Sequence, residues 1–242
     1  MRCGKGSLHP CRRVVYITSM SRTQQGRSRE SAQDTTYRWL KRHIGSLPRQ
    51  EGTFLTEAEV CEATGTSRTP VREALLRLET EGFLKIMPKK GAFVPPVSDA
   101  EIEAVMQARE LVEDWCVQRA VPFAEELAPE LAELVARQEG LLDDPVEFIE
   151  CDRAFHRAIV RRAGNPVLAE FYESLRDRQV RMGLRAIAAA EDRARVVLAE
   201  HGAIVEAIRS GDPLRAGQAL AAHLDGTLTV LRLPSVANWD GR

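Results

Sequence analysis

The stretch SRTPVREALLRLETEGFLKIMPKKGAFV, residues 67–94, decides the architecture of the first half of the chain. Pro70 stands early in a helix, where its missing amide costs nothing. Val71, Ala74, Leu75 and Leu78 share one face of that helix, and Gly82 stops it. FLKIM then reads as a short strand, Pro88 to Gly91 as a turn carrying Lys89 and Lys90, and AFVPPV as the returning strand. Upstream, Thr56 and Glu59 have the spacing of a capping box, which opens a short helix through Val60 to Ala63 that stops at Gly65. Before it, Trp39, Leu40 and Ile44 predict a short amphipathic helix from Tyr37 to Ile44, ended by Gly45 and Pro48. Two helices joined by a tight glycine-containing turn and followed by a hairpin make a winged helix-turn-helix, placed at residues 34–97.

The chemistry of that unit suits a polyanion. Arg68 and Arg72, four residues apart, project from one outward face, with Ser67 and Thr69 at the helix start. A helix N-terminus with two forked guanidiniums matches phosphate oxygens and guanine edges in the major groove. Lys89, Lys90 and the flexible Gly91 in the wing are placed for the neighbouring backbone or minor groove, adding salt-dependent affinity.

Residues 67–94 resemble the winged-helix signature of the GntR family of bacterial transcription regulators. The resemblance implies binding to short palindromic operators as a dimer, through Ser67, Arg68, Thr69 and Arg72 and the wing at Lys90 and Gly91. One departure stands out: many relatives carry an arginine in the first helix of the motif where this chain has Ala58, so the operator sequence is not carried over.

PPVSDAE closes the front unit, since two prolines block a helix and Ser98 with Glu101 begins another. From there to residue 231 the chain reads as a bundle of about six helices, giving a mainly α fold. The expected spans are 99–121, 129–142, 146–163, 166–189, 192–210 and 213–231, broken at Pro122, Pro145, Gly164 with Pro166, and Gly211 with Pro213. Asn165 and Asp212 are the natural caps for the helices that follow them.

Three of the five histidines, His156, His201 and His223, fall on three of these helices. Asp152 precedes His156 by four residues and so shares its helical face. His201 and His223 lie at matched depths of two helices joined at Gly211, so both rings converge on one point. One Asp and three His suit a divalent metal: zinc first, with nickel, manganese or iron as alternatives. DRAFHRAI, EHGAIVEAI and AAHL resemble the FCD effector domain of the FadR-like GntR branch. That resemblance implies a metal held by Asp152, His156, His201 and His223, a small carboxylate effector, and an arginine that pairs with the acid. Arg109, in QARELVE, matches that arginine, and Asn165 has a family-like place in AGN.

Composition agrees with this division. The chain has 242 residues, 44% hydrophobic, 29% charged and only 5% aromatic, with no long uninterrupted apolar run. That excludes a disordered chain and a membrane span, and favours helix. Net charge is +6 over residues 1–33, +2 over 34–97 and −9 over 98–242. Residues 1–33 are expected to be a disordered basic extension, with Met20 as a second plausible start, and 232–242 a tail. Cys3, Cys11, Cys61, Cys116 and Cys151 are odd in number and without C-x-x-C spacing, as expected of reduced thiols in a cytoplasmic, nucleoid-associated protein. Two rival functions use the same four ligands. One is a sensor in which the ion is the signal; the other is a metal-dependent enzyme acting on a small acid, against which stands the lack of an H-E-x-x-H-like motif.

Overall fold

A computed structural model describes residues 31–233. The expected extension up to residue 30 and residues 234–242 of the expected tail lie outside the described residues.

Helix α1 (Ala32–Ser46) starts five residues before the expected Tyr37, because the Ser31 hydroxyl caps it by accepting from the Asp34 amide. Its polar first turn carries no apolar period, which is why pattern reading enters late. The Thr56–Glu59 capping box forms as expected and opens α2 (Glu57–Thr64), which ends at Gly65 in the left-handed region. Helix α3 (Arg68–Thr80) buries Val71, Ala74, Leu75 and Leu78 against α1. Three antiparallel strands follow the order β1-β3-β2: β1 (Thr53–Leu55), β2 (Lys85–Met87) and β3 (Gly91–Val94). The hairpin β2–β3 is the expected wing. Strand β1 was not expected, since three residues are too few to show a period; it is held by pairing Thr53 with Val94 and Leu55 with Ala92.

The second half runs through α4 (Asp99–Ala120), α5 (Ala124–Glu139), α6 (Pro145–Arg162), α7 (Pro166–Ser174), α8 (Arg176–Ala189), α9 (Arg193–Arg209) and α10 (Pro213–Arg232). Three expectations differ. Pro122 does not break the path but sits in a 3₁₀ turn, Val121–Phe123, that leads directly into α5. Pro129, expected near a helix start, lies inside α5, where it and Glu125 are exposed and water can reach the carbonyl the proline leaves without an amide. The expected helix 166–189 breaks at Leu175, whose amide turns back to the Tyr172 carbonyl. Helix α10 packs on α4 and α9, and α5 on α6 and α9. The core between them includes Ile102, Phe155, Ile159, Ile204 and Leu220.

Helix α8 joins the two halves, because α1 packs against it directly. A Cβ placed on Gly45 of α1 would lie 3.0 Å from Leu184 Cβ of α8, so the two helices touch with no slack. Between α1 and α6, the ammonium of Lys41 is buried at 2% exposure, 3.1 Å from Glu81 and 3.4 Å from Glu150. Glu81 is the residue at which helix α3 ends.

Candidate nucleic-acid interface and metal centre

Ser67, Arg68, Thr69, Arg72, Lys89 and Lys90 are exposed, and the structure groups them on the start of α3 and the tip of the wing. Ser67 occupies the N-cap position of α3 without making a side-chain capping bond. Arg72 Nε donates to Glu57 Oε1 at 2.7 Å, so α2 holds this guanidinium in place. In the wing, Lys89 has φ 65° and Gly91 φ 102°. A side chain on Gly91 would put its Cβ 2.5 Å from the Leu55 carbonyl of β1. Glycine is therefore demanded at this position by the close approach of β1 and by backbone conformation, whatever else the wing contacts.

The second site is built inside the bundle. Asp152 and His156 project from one face of α6, His201 from α9 and His223 from α10. One ligand atom from each of the four lies within 4.8 Å of all the others. The rings are 4.9 to 5.1 Å apart, centroid to centroid. A surrounding layer of acceptors orients them. His223 Nδ1 donates to Glu200 Oε2 at 2.7 Å, and His156 Nδ1 lies 2.8 Å from Glu113 Oε2. His201 Nδ1 meets Gln138 Oε1 at 2.9 Å, while the same amide donates through Nε2 to the Phe148 carbonyl at 3.2 Å. That second bond fixes which way the amide faces, so His201 carries its proton on Nδ1 and turns the Nε2 lone pair inward.

Both ring nitrogens of His156, for all the nearness of Glu113, and Nε2 of His201 are buried without a well-directed hydrogen-bond partner among the described residues, and His201 Nε2 faces Asp152 Oδ1 at 3.4 Å. Burial, followed by the neighbouring His223 and His156, holds His201 well below the ordinary histidine range. Burial also lowers His223 despite its bond to Glu200. Two rings held below the ordinary histidine range, His201 and His223, with the unpartnered Nε2 atoms of His156 and His201 beside the Asp152 carboxylate, are a donor set a divalent metal takes, so the residues fit the group that the sequence suggests.

Arg109 lies on the wall of this site with Asp152, His156, Tyr172 and His223, around a cavity of about 30 Å³. Its Nε donates to Glu113 Oε1 at 2.7 Å, and the Tyr172 hydroxyl donates to the same oxygen at 2.7 Å. Burial alone would raise the Glu113 carboxyl, but Arg109 and His156 outweigh it and hold the group well below the carboxylate range. Burial likewise works against the Arg109 charge, and Glu113, Tyr172 and Asp152 overcome it. Arg193 on α9 grips Glu200 with two bonds of 2.9 Å and donates to Thr227 at 2.8 Å, fixing the partner of His223.

Asn165 is not brought to this site. Its side-chain oxygen accepts from the Val167 and Leu168 amides as the cap of α7, and it lines a separate surface depression with Trp115 and Phe123. The orienting residues Glu113, Gln138 and Glu200 went unread in the sequence. Glu113 carried a faint signal, standing four residues after Arg109 and within the bundle stripe; Gln138 is 63 residues from its ring and carried none.

Comparison with known proteins agrees with both halves. The family model described as bacterial regulatory proteins, gntR family, matches residues 32–94, and that of the FCD domain matches residues 104–226. An HTH-type transcriptional regulator in an unstable DNA locus of Streptomyces ambofaciens is 33% identical over 195 residues, covering 78% of this chain and 80% of the relative. The transcriptional repressor RspR of Escherichia coli is 29% identical over 197 residues, covering 78% of this chain and 83% of RspR. Among solved structures, Escherichia coli McbR/YncC superposes with a TM-score of 0.55 at 29% identity, covering 83% of this chain and 97% of that one. These relatives are transcription regulators, not enzymes. The chain accordingly belongs to the GntR family of bacterial regulatory proteins, as a DNA-binding transcription regulator whose second half is an FCD domain.

Proposed function

We propose that this regulator is a cytoplasmic repressor that binds a palindromic operator as a homodimer and releases it when a small carboxylate enters a metal-containing pocket. The convergence of Asp152, His156, His201 and His223, with inward-facing histidine lone pairs, carries this reading. A divalent ion held there supplies a Lewis-acid contact for an incoming carboxylate. Arg109, charged and fixed by Glu113, supplies a guanidinium on the same wall for the acid's other end. Ser67, Arg68, Thr69, Arg72, Lys89, Lys90 and Gly91 make up the DNA-reading face.

The cavity has room for about one water, whereas metabolite pockets are on the order of several hundred Å³. An acid must therefore displace the wall. Gln179, Val180, Gly183 and Ala186 of α8 form part of that wall, and α8 is in tight contact with α1 through Leu184 and Gly45. Helix α6 offers a second route: Glu150 stands two residues before Asp152 and reaches Lys41, which meets Glu81 at the end of the recognition helix. Pocket occupancy thus bears on α1 and α3 through parts already in contact, as coupling between two sites requires.

For the dimer, Leu111 and Trp115 lie one turn apart on α4 and are exposed, as are Val167 and Phe171 on α7, which packs against α4. Exposed apolar side chains on adjoining helices favour a self-complementary contact.

The test is elemental analysis of tag-free protein reconstituted separately with zinc, nickel and manganese, followed by gel shifts on DNA upstream of its own gene with a panel of di- and tricarboxylates. His201→Ala should lose metal; Arg109→Ala should keep metal and lose the response to acid. Less than about a tenth of an equivalent of every metal would remove the site.

A further inference from the structure

Helix α8 gives the histidine cavity one polar side chain. Of the residues it sets on that wall, Val180, Gly183, Ala186 and Ile187 are apolar or small, and Gln179 is the exception. Gln179 is 8% exposed, and its Nε2 is buried without a hydrogen-bond partner among the described residues. A buried donor in this state has given up its hydration with nothing in exchange, so its retention calls for a partner that comes from outside. The buried Gln138 shows the usual arrangement: its Oε1 meets His201 and its Nε2 donates to the Phe148 carbonyl.

Arg193 repeats the pattern on α9. Its Nη atoms are taken by Glu200 and Thr227, while its Nε is buried without a partner on the lining of the same cavity. Two unspent donors therefore stand on walls contributed by α8 and α9, in addition to the Arg109 guanidinium of α4. Neither brings uncompensated charge: Gln179 is neutral, and Glu200 answers Arg193 with two bonds of 2.9 Å. Such a wall suits a neutral oxygen, because a further carboxylate buried there would meet no spare counter-charge.

We propose that Gln179 determines which acid the pocket accepts, by donating from Nε2, together with Arg193 Nε, to a neutral oxygen that the effector carries in addition to its carboxylates: a hydroxyl or a carbonyl. This rests on the reading of the pocket as a metal-and-acid site and narrows it to hydroxy- or oxo-substituted di- and tricarboxylates. The position of Gln179 also ties the contact to the DNA-reading half. Gln179 and Leu184 are five residues apart on α8, about 140° around the helix, so the side chain at the cavity and the one against Gly45 of α1 occupy different faces of one element. An acid bonded to Gln179 holds α8 from the cavity side while α1 packs on the other.

The experiment follows the rise in melting temperature of the zinc-loaded full chain with four acids in two matched pairs, succinate with malate and tricarballylate with citrate. The members of each pair differ by one hydroxyl. In at least one pair the hydroxy acid should bind at least about tenfold more tightly, as a site that hydrogen-bonds a substituent rejects the analogue lacking it. Gln179→Met, which keeps the length of the side chain and removes the donor, should bind both acids of that pair equally and keep its metal by elemental analysis. Without acid it should melt no lower than wild type, because no unpaired amide remains. Gln179→Leu should behave the same way. In gel shifts on DNA upstream of its own gene, both variants should answer the hydroxy acid no better than its partner. A preference for the hydroxyl that survives in these variants places that oxygen on the metal and overturns the proposal. Equal binding of all four acids by the unmodified chain defeats the role of Gln179 alone, whereas failure of every acid to raise the melting temperature defeats the acid reading of the pocket itself.

Discussion

Replacing Lys41 with methionine keeps most of the apolar stem and deletes one charge from the seam between the DNA-reading half and the bundle. The ammonium is 2% exposed, 3.1 Å from Glu81 and 3.4 Å from Glu150, and 4.9 and 5.0 Å from the centres of the Tyr37 and Phe83 rings. Removing one partner of a buried ion pair costs about 3 to 5 kcal/mol, because the remaining charge is left desolvated. Here the low end applies. Glu81 keeps the Tyr37 hydroxyl and Arg77, and Glu150 keeps Arg153 and Arg176. The expected loss is about 3 kcal/mol at neutral pH, read from urea unfolding, with little relief from added salt because the group is buried. A double-mutant cycle with Glu150→Gln should return a coupling of about 1 to 2 kcal/mol.

The pH dependence of this loss has a definite sign. Burial works to raise both carboxyls. Tyr37 and Lys41 outweigh it at Glu81, and Lys41, Arg176 and Arg153 at Glu150, so both fall below the ordinary 4.5. Their stabilisation is present above that value and lost as pH falls through the lowered folded-state values, so the deficit of Lys41→Met should shrink below about pH 4.5. A loss under about 1 kcal/mol, or one erased by molar salt, would class the bridge with surface pairs and refute the reasoning.

Arg72→Ala should weaken specific operator binding by about 1 to 3 kcal/mol in gel shifts at fixed salt, as loss of a bidentate base contact does, whereas Lys89→Ala with Lys90→Ala should weaken all sequences and flatten the salt slope. Gly91→Ala should lower stability by about 1 to 3 kcal/mol, because φ is 102° and its Cβ would lie 2.5 Å from the Leu55 carbonyl; an unchanged melting temperature would contradict this. Burial lowers His43, His201 and His223 below the ordinary 6.5, so the unfolded chain takes up protons that the folded one refuses. The urea midpoint of metal-free protein should therefore fall between about pH 7 and pH 5, and a flat profile over that interval would refute the assignment of neutral buried rings.

Local pattern carried a large part of this molecule. The Thr56–Glu59 cap, the buried stripe of α3, the wing hairpin, the Asn165 and Asp212 caps, and the pairing of Asp152 with His156 are all set by residues within a few positions of each other, where helical period and capping chemistry act directly. Even the convergence of His201 and His223 followed from counting turns back from Gly211. Other features needed the chain folded. Strand β1 exists only because β3 lies beside it. Asn165 matched the family in sequence, yet its oxygen is spent on the cap of α7. Gln138, Glu113 and Glu200 became neighbours of the three rings, Lys41 a bridge between Glu81 and Glu150, and Arg185 a donor to the Leu47 carbonyl, through neighbours from separate elements. A side chain's partners across a bundle depend on how helices cross and how deep each one sits. That information resides in the packing of all of them at once, and no window of sequence contains it.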